Sequence, residues 1–162
     1  MYRCIVLVVV LCIGGVAHAG ACNPLRPDRL ALLLGSYHAN PQEEFDEFNP
    51  GIFAVWNCDV VNTRMGIHRN SFGDASGSIS FTSEFLSLRG GGFDVQPFVG
   101  TAYYPDQGAG TPASIGGSDF ILLAGLEFTH EDLPIFAQYL PGDPEQAGFD
   151  HVWTFGFRFQ LD

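Results

Sequence analysis

Two short stretches hold the side chains best suited to chemistry. One is Tyr37-His38, and the other is His68-Arg69-Asn70-Ser71-Phe72-Gly73. A histidine can take the proton of a serine hydroxyl, and the serine oxygen then attacks an ester more readily. An asparagine beside them can orient the imidazole or donate a hydrogen bond to an oxyanion. His38, Asn70 and Ser71 are therefore the candidate catalytic residues. On spacing alone, a surface His and a turn Ser would give the same pattern. The densest charge cluster, Glu43-Glu44-Phe45-Asp46-Glu47, could recruit divalent cations through its oxygens or be a solvated loop. His130-Glu131-Asp132 and Asp150-His151 read as turn residues before metal ligands. There is no P-loop, GxSxG, HExxH or EF-hand pattern and no CxxC, so neither a cofactor nor a metal is expected.

The elements that must position these residues are strands. Between turn signals the chain alternates with a period of two, which sends successive side chains to opposite faces of a sheet. Trp153, Phe155, Phe157 and Phe159 oppose Thr154, Gly156, Arg158 and Gln160; Phe120, Leu122, Ala124, Leu126 and Phe128 oppose Asp119, Ile121, Leu123, Gly125 and Glu127. Eight strands are predicted: 30–39, 51–59, 61–70, 76–88, 93–104, 118–129, 133–140 and 151–160. Long or Gly-, Pro- and acid-rich connections (40–50, 71–75, 105–117, 141–150) alternate with short ones near 60, 89–92 and 130–132. An up-and-down sheet of this kind has one rim of short turns and one of long loops. Eight antiparallel strands can close into a small barrel without exposed edges. His38 and Ser71 then meet on the long-loop rim, because the first and third strands end on the same side.

The chain has 162 residues, net charge −11, seven Arg and no Lys. That length suits one domain, and the acidity excludes nucleic acid as a partner. Residues 1–19 carry Arg3, an apolar run from Ile5 to Ile13, and Ala17-His18-Ala19, the pattern of a cleaved secretory signal. A lipoprotein site at Cys22 is the alternative. Residues 20–162 are expected to form the single barrel domain, with Cys22 and Cys58 either paired in an oxidising compartment or unpaired. Strands of about 9–11 residues, aromatic apolar faces and opposing charges at Arg158, Glu127, Asp119 and Glu84 favour a barrel that spans a membrane. A soluble periplasmic barrel remains open. Strand 61–70, with Arg64, His68, Arg69 and Asn70, makes a poor lipid face. Gly100, Gly125 and Gly156 fall in mid-strand, where they either leave interior space or ease bending.

Three stretches carry a family resemblance. They are Tyr37-His38 with the acidic loop and Phe48-Asn49-Pro50-Gly51; Gly66-Ile67-His68-Arg69-Asn70-Ser71-Phe72; and Tyr139-Leu140-Pro141-Gly142 followed by Trp153 to Gln160. In order and spacing the chain resembles the lipid A palmitoyltransferase (PagP) family of Gram-negative outer membranes. The resemblance implies an eight-stranded outer-membrane barrel with an N-terminal amphipathic helix. It also implies transfer of a palmitoyl chain from a phospholipid to lipid A by a His, an Asp and a Ser, with the acyl chain held in the interior. His38 matches the His and Ser71 the Ser, while Asn70 stands where the family has Asp. An amide can position a neighbour but cannot act as a base. Pro24 and Pro27 interrupt the segment where the helix would lie. Phospholipid and lipopolysaccharide are the expected partners, and a monomer in the outer membrane is the expected state. The alternative is a non-catalytic barrel, in the outer membrane or the periplasm, that binds acyl chains or is structural. A lipid A deacylase ranks below these, since His151 is followed by Val152-Trp153 rather than by a His-x-Ser pattern.

Overall fold

The computed structural model describes residues 23, 25–58 and 61–161. The expected export signal over 1–19, and Cys22, lie outside them. Cys58 is disulfide-bonded.

Nine strands follow one another: β1 (Arg29–Ala39), β2 (Gly51–Trp56), β3 (Asn62–Arg69), β4 (Ala75–Thr82), β5 (Leu88–Gly90), β6 (Phe93–Tyr103), β7 (Phe120–His130), β8 (Ile135–Asp143) and β9 (Phe149–Gln160). Eight of them form a closed antiparallel barrel. β1 pairs with both β2 and β9, and β4 pairs with β6 to shut the ring. Closure pairs every wall strand on both sides and removes the exposed edge. β5 stands outside the ring on the end of β6.

The expected strand 76–88 is two elements. After β4 the chain makes one 3-10 turn, Glu84–Leu86, and β5 then folds back on β6. The two residues between them, Gly91 and Gly92, have φ of +60° and +80°, the left-handed pair that a two-residue hairpin loop requires. The last hairpin is longer than expected. Pairing continues through Pro141↔His151 to Asp143↔Phe149, and the Phe149 ring fills the space beside Gly142 where a Cβ would stand.

The period of two sorts the faces. Leu32, Ile52, Met65, Ile67, Phe81, Leu122, Phe155, Phe157 and Phe159 are exposed on the outer wall. Charged and polar groups point inward. Arg64 of β3 pairs with Glu127 of β7 at 2.6 Å. Gln138 of β8 donates to Glu127 (2.8 Å), and Thr154 of β9 donates to Gln138 (3.4 Å). Of the polar residues that make 61–70 a poor lipid face, Arg64 and His68 turn inward and Asn70 is buried, while Arg69 stays exposed on the outer face with Met65 and Ile67. The expected interior charges are arranged differently. Glu127 takes Arg64 as its partner, Arg158 donates to the His130 carbonyl (2.8 Å), Asp119 accepts from Ala109 N–H (3.3 Å), and Glu84 lies 3.8 Å from Arg89 on the short-turn rim.

Phe53 and Phe136 pack with Leu33 and Ala31 in one buried cluster, and buried Phe98, which lines the same cavity as Leu33, Phe53 and Phe136, completes an apolar belt across the barrel. Each ring sits opposite an inward glycine on the next strand: Phe53↔Gly66, Phe98↔Gly125 and Phe136↔Gly156. A Cβ at Gly125 would lie 2.0 Å from the Tyr139 carbonyl oxygen and 3.0 Å from the Phe98 ring. At Gly156 the corresponding contacts are 2.0 Å to the Leu32 carbonyl oxygen and 2.9 Å to the Phe136 ring. These glycines leave no open space; strand backbone and phenyl rings take it. The belt separates a polar chamber under the short turns from a smaller one under the long loops.

Candidate functional site

The long-loop rim is made by segments 40–50, 70–74, 104–119 and 144–148. The first lies across the barrel mouth. Its backbone is tied to three elements: Ser36 N–H donates to Glu47 O (2.9 Å), Asp46 N–H to Ser71 O (2.8 Å) and Gln42 N–H to Gly148 O (2.7 Å). Close passage of Glu47 over β1 depends on Gly35, where a Cβ would lie 2.5 Å from the Glu47 carbonyl oxygen. A bulge between Leu33 and Gly35 turns Ser36 and His38 inward.

His38 is buried, 4% exposed. Its Nδ1 lies 3.1 Å from Glu47 Oε2, and its backbone N–H donates to Glu47 Oε1 at 3.0 Å. The Ser36 hydroxyl faces two acceptors, Glu47 Oε2 at 2.9 Å and Asn49 Oδ1 alongside. Burial works against ionisation of Glu47. The hydrogen bonds from the His38 N–H, the Ser36 hydroxyl and the His38 ring outweigh it, and they hold the carboxyl below its ordinary value. The imidazole is stacked on Phe45 (centroids 4.2 Å, 12°) and meets the Phe149 ring edge-on (5.1 Å). With the Nδ1 proton given to Glu47, Nε2 carries the lone pair, so the pair is arranged as a carboxylate-oriented base.

Asn70 is 1% exposed and serves the β3–β4 turn. Its Oδ1 accepts from Phe72 N–H (3.0 Å) and Asp74 N–H (2.9 Å), and its Nδ2 donates to Ser76 Oγ (3.0 Å). Both polar atoms of this side chain are engaged in holding the turn, as turn asparagines commonly are. Ser71 follows it and lines a cavity of about 110 Å³ together with Ser36, Asn49, His68, Asn70 and Tyr104. Among the described residues no hydrogen bond joins Ser71 to His38, and His38 does not line that cavity. Ser36 and Asn49 both line the cavity, and Ser36 also reaches Glu47. Tyr104 is pushed up to about 12 by burial, so it stays a neutral phenol.

The sequence expectation missed Glu47, Ser36, Asn49 and His68. Ser36 lies two residues before His38, and that spacing was a usable sign of a shared face. Glu47 was one of four acids in a run, and nothing in the run distinguished it. Asp46 is occupied separately, 2.6 Å from Arg69. Among the described residues no group of three or more His, Cys, Asp or Glu is arranged to hold a metal. No known family model matches the chain, and no curated protein matches it.

Proposed function

We propose that the protein is an outer-membrane barrel that transfers an acyl chain from a phospholipid to lipid A at its long-loop rim. The observation that carries this reading is the His38–Glu47 pair. A carboxylate on Nδ1 supports what Asn70 cannot supply, so the acid of the resembled family's triad has a substitute from a different loop. In this reading His38 Nε2 takes the proton of the acceptor hydroxyl as its oxygen attacks the acyl carbonyl. The proton then passes to the departing lysophospholipid oxygen. Ser71 and the Asn49 amide are the neighbouring donors for the carbonyl oxygen. The apolar outer wall and charged interior favour a bilayer as the solvent. In that orientation the long loops face outward and the short turns face the periplasm.

Mass spectrometry of lipid A from cells with and without the protein tests the reading. The expected result is one added acyl chain, lost in His38→Ala and strongly reduced in Glu47→Gln. An unchanged lipid A spectrum, with the barrel folded in the outer membrane, would overturn it. A second reading is a barrel without catalysis. It is favoured by the size of the chamber under the rim, about 110 Å³, against roughly 300–1,000 Å³ for pockets that enclose a small molecule. Purified protein that leaves phospholipid and lipid A unaltered would support that second reading.

A further inference from the structure

Below the phenylalanine belt, the short-turn half of the barrel encloses a cavity of about 530 Å³. This is within the roughly 300–1,000 Å³ range of small-molecule sites. It is distinct from the rim chamber. Four of the chain's seven arginines face it: Arg29, Arg64, Arg89 and Arg158. Two of them are neutralised, Arg64 by Glu127 (2.6 Å) and Arg89 by Asp94 (3.2 Å) with Glu84 (3.8 Å).

The other two have no carboxylate partner among the described residues. Arg29 Nε donates to the Gln160 side chain (3.2 Å), and Arg158 donates to the His130 carbonyl (2.8 Å). Both acceptors are neutral. The register Arg29↔Gln160 and Ala31↔Arg158 makes the two arginines diagonal neighbours on the inner face of β1 and β9. Such neighbours have Cα atoms roughly 7–8 Å apart. Two like charges side by side are unfavourable alone. An oxyanion between them would relieve the repulsion and use both planar forks.

We infer that this cavity is an anion site, in which Arg29 and Arg158 bind a phosphate group presented from the short-turn side. The group's source is either free phosphate or the headgroup of a phospholipid. The wall carries four carboxylates against its four arginines; Glu127 faces Arg64, Glu84 and Asp94 both face Arg89, and Glu131 has no arginine partner among the described residues, so the positive charge is local to the Arg29–Arg158 pair. Binding here needs no acyl transfer at the rim, so this inference and the functional reading above fail independently.

The test is calorimetric titration of the folded full-length barrel in neutral detergent, with inorganic phosphate in one arm and short-chain phosphatidic acid in the other. Saturable one-to-one binding is expected in at least one arm, and the tighter arm identifies the source. Arg158→Gln should weaken it at least tenfold, and Arg29→Gln/Arg158→Gln should abolish it. Heat-modifiable gel mobility checks that each variant is folded. If Arg158→Gln does not fold, Arg29→Gln alone gives the same reading, since among the described residues its side-chain hydrogen bond is to the exposed Gln160. No saturable binding of either probe, or affinity unchanged in the folded variants, overturns the inference.

Discussion

Asn70 and Glu47 exchange the parts that the sequence suggested for them. The asparagine sits where a catalytic carboxylate would be expected, yet its amide closes a turn through three hydrogen bonds. The glutamate sits in an acidic run that reads as solvated, yet it bonds the His38 ring and backbone and accepts from Ser36. Glu47 is favoured as the anion in the folded state, so its folded value lies below the ordinary 4.5. The tie of the Glu47 side chain to β1 is therefore intact above about pH 4.5. It is lost as the pH falls through that lower value, where the carboxyl gains a proton. Limited proteolysis of the loop should show protection at neutral pH and rapid cleavage in acid. Glu47→Gln should be cleaved faster at neutral pH. The carboxylate is 44% exposed, so the expected loss of stability is small, about 0.5–1 kcal/mol.

At the scale of elements, pairing inward glycines with phenyl rings gives the barrel its tight wall. Gly125→Ala and Gly156→Ala would each place a methyl 2.0 Å from a carbonyl oxygen of the neighbouring strand. Overpacking of this kind costs about 1–3 kcal/mol. Gly77 also lies in a strand, but its nearest atom is the Gly66 carbonyl oxygen at 3.7 Å, and Gly77→Ala should be neutral. Urea unfolding of the three variants in detergent micelles measures the difference; equal stability of all three would refute the packing account. Strand identity was readable because alternation is local. The break after β4 was not, because Phe85 continues the alternation while the Gly91-Gly92 turn and the bonds to Asp94 redirect the chain.

For the whole molecule the deciding question is the solvent around the wall. Leu122 is exposed on the outer face of β7, while Leu123 faces the rim chamber. An arginine at a lipid-facing midplane position costs about 2–4 kcal/mol. Leu126→Arg, on the same outer face near the middle of β7, should therefore reduce folding into lipid vesicles by that amount, whereas a barrel in water would tolerate it. Gel-shift measurement of the folded fraction in vesicles separates the two.

Alternation, loop lengths and turn residues are enough to determine an up-and-down barrel of eight strands with long and short rims, because each is a short-range property of the chain. The same periodicity places His38 and the segment ending in Ser71 on one rim. Which groups touch there is a different matter. A bulge in β1 turns Ser36 and His38 inward, and Gly35 lets the Glu47 backbone pass close by. The choice of Glu47 from four neighbouring acids follows from that geometry. The gathering of Arg29, Arg64, Arg89 and Arg158 around one chamber comes from strands far apart in the chain. Only the tertiary structure decides these contacts, because they depend on where residues distant in the chain meet once the ring has closed.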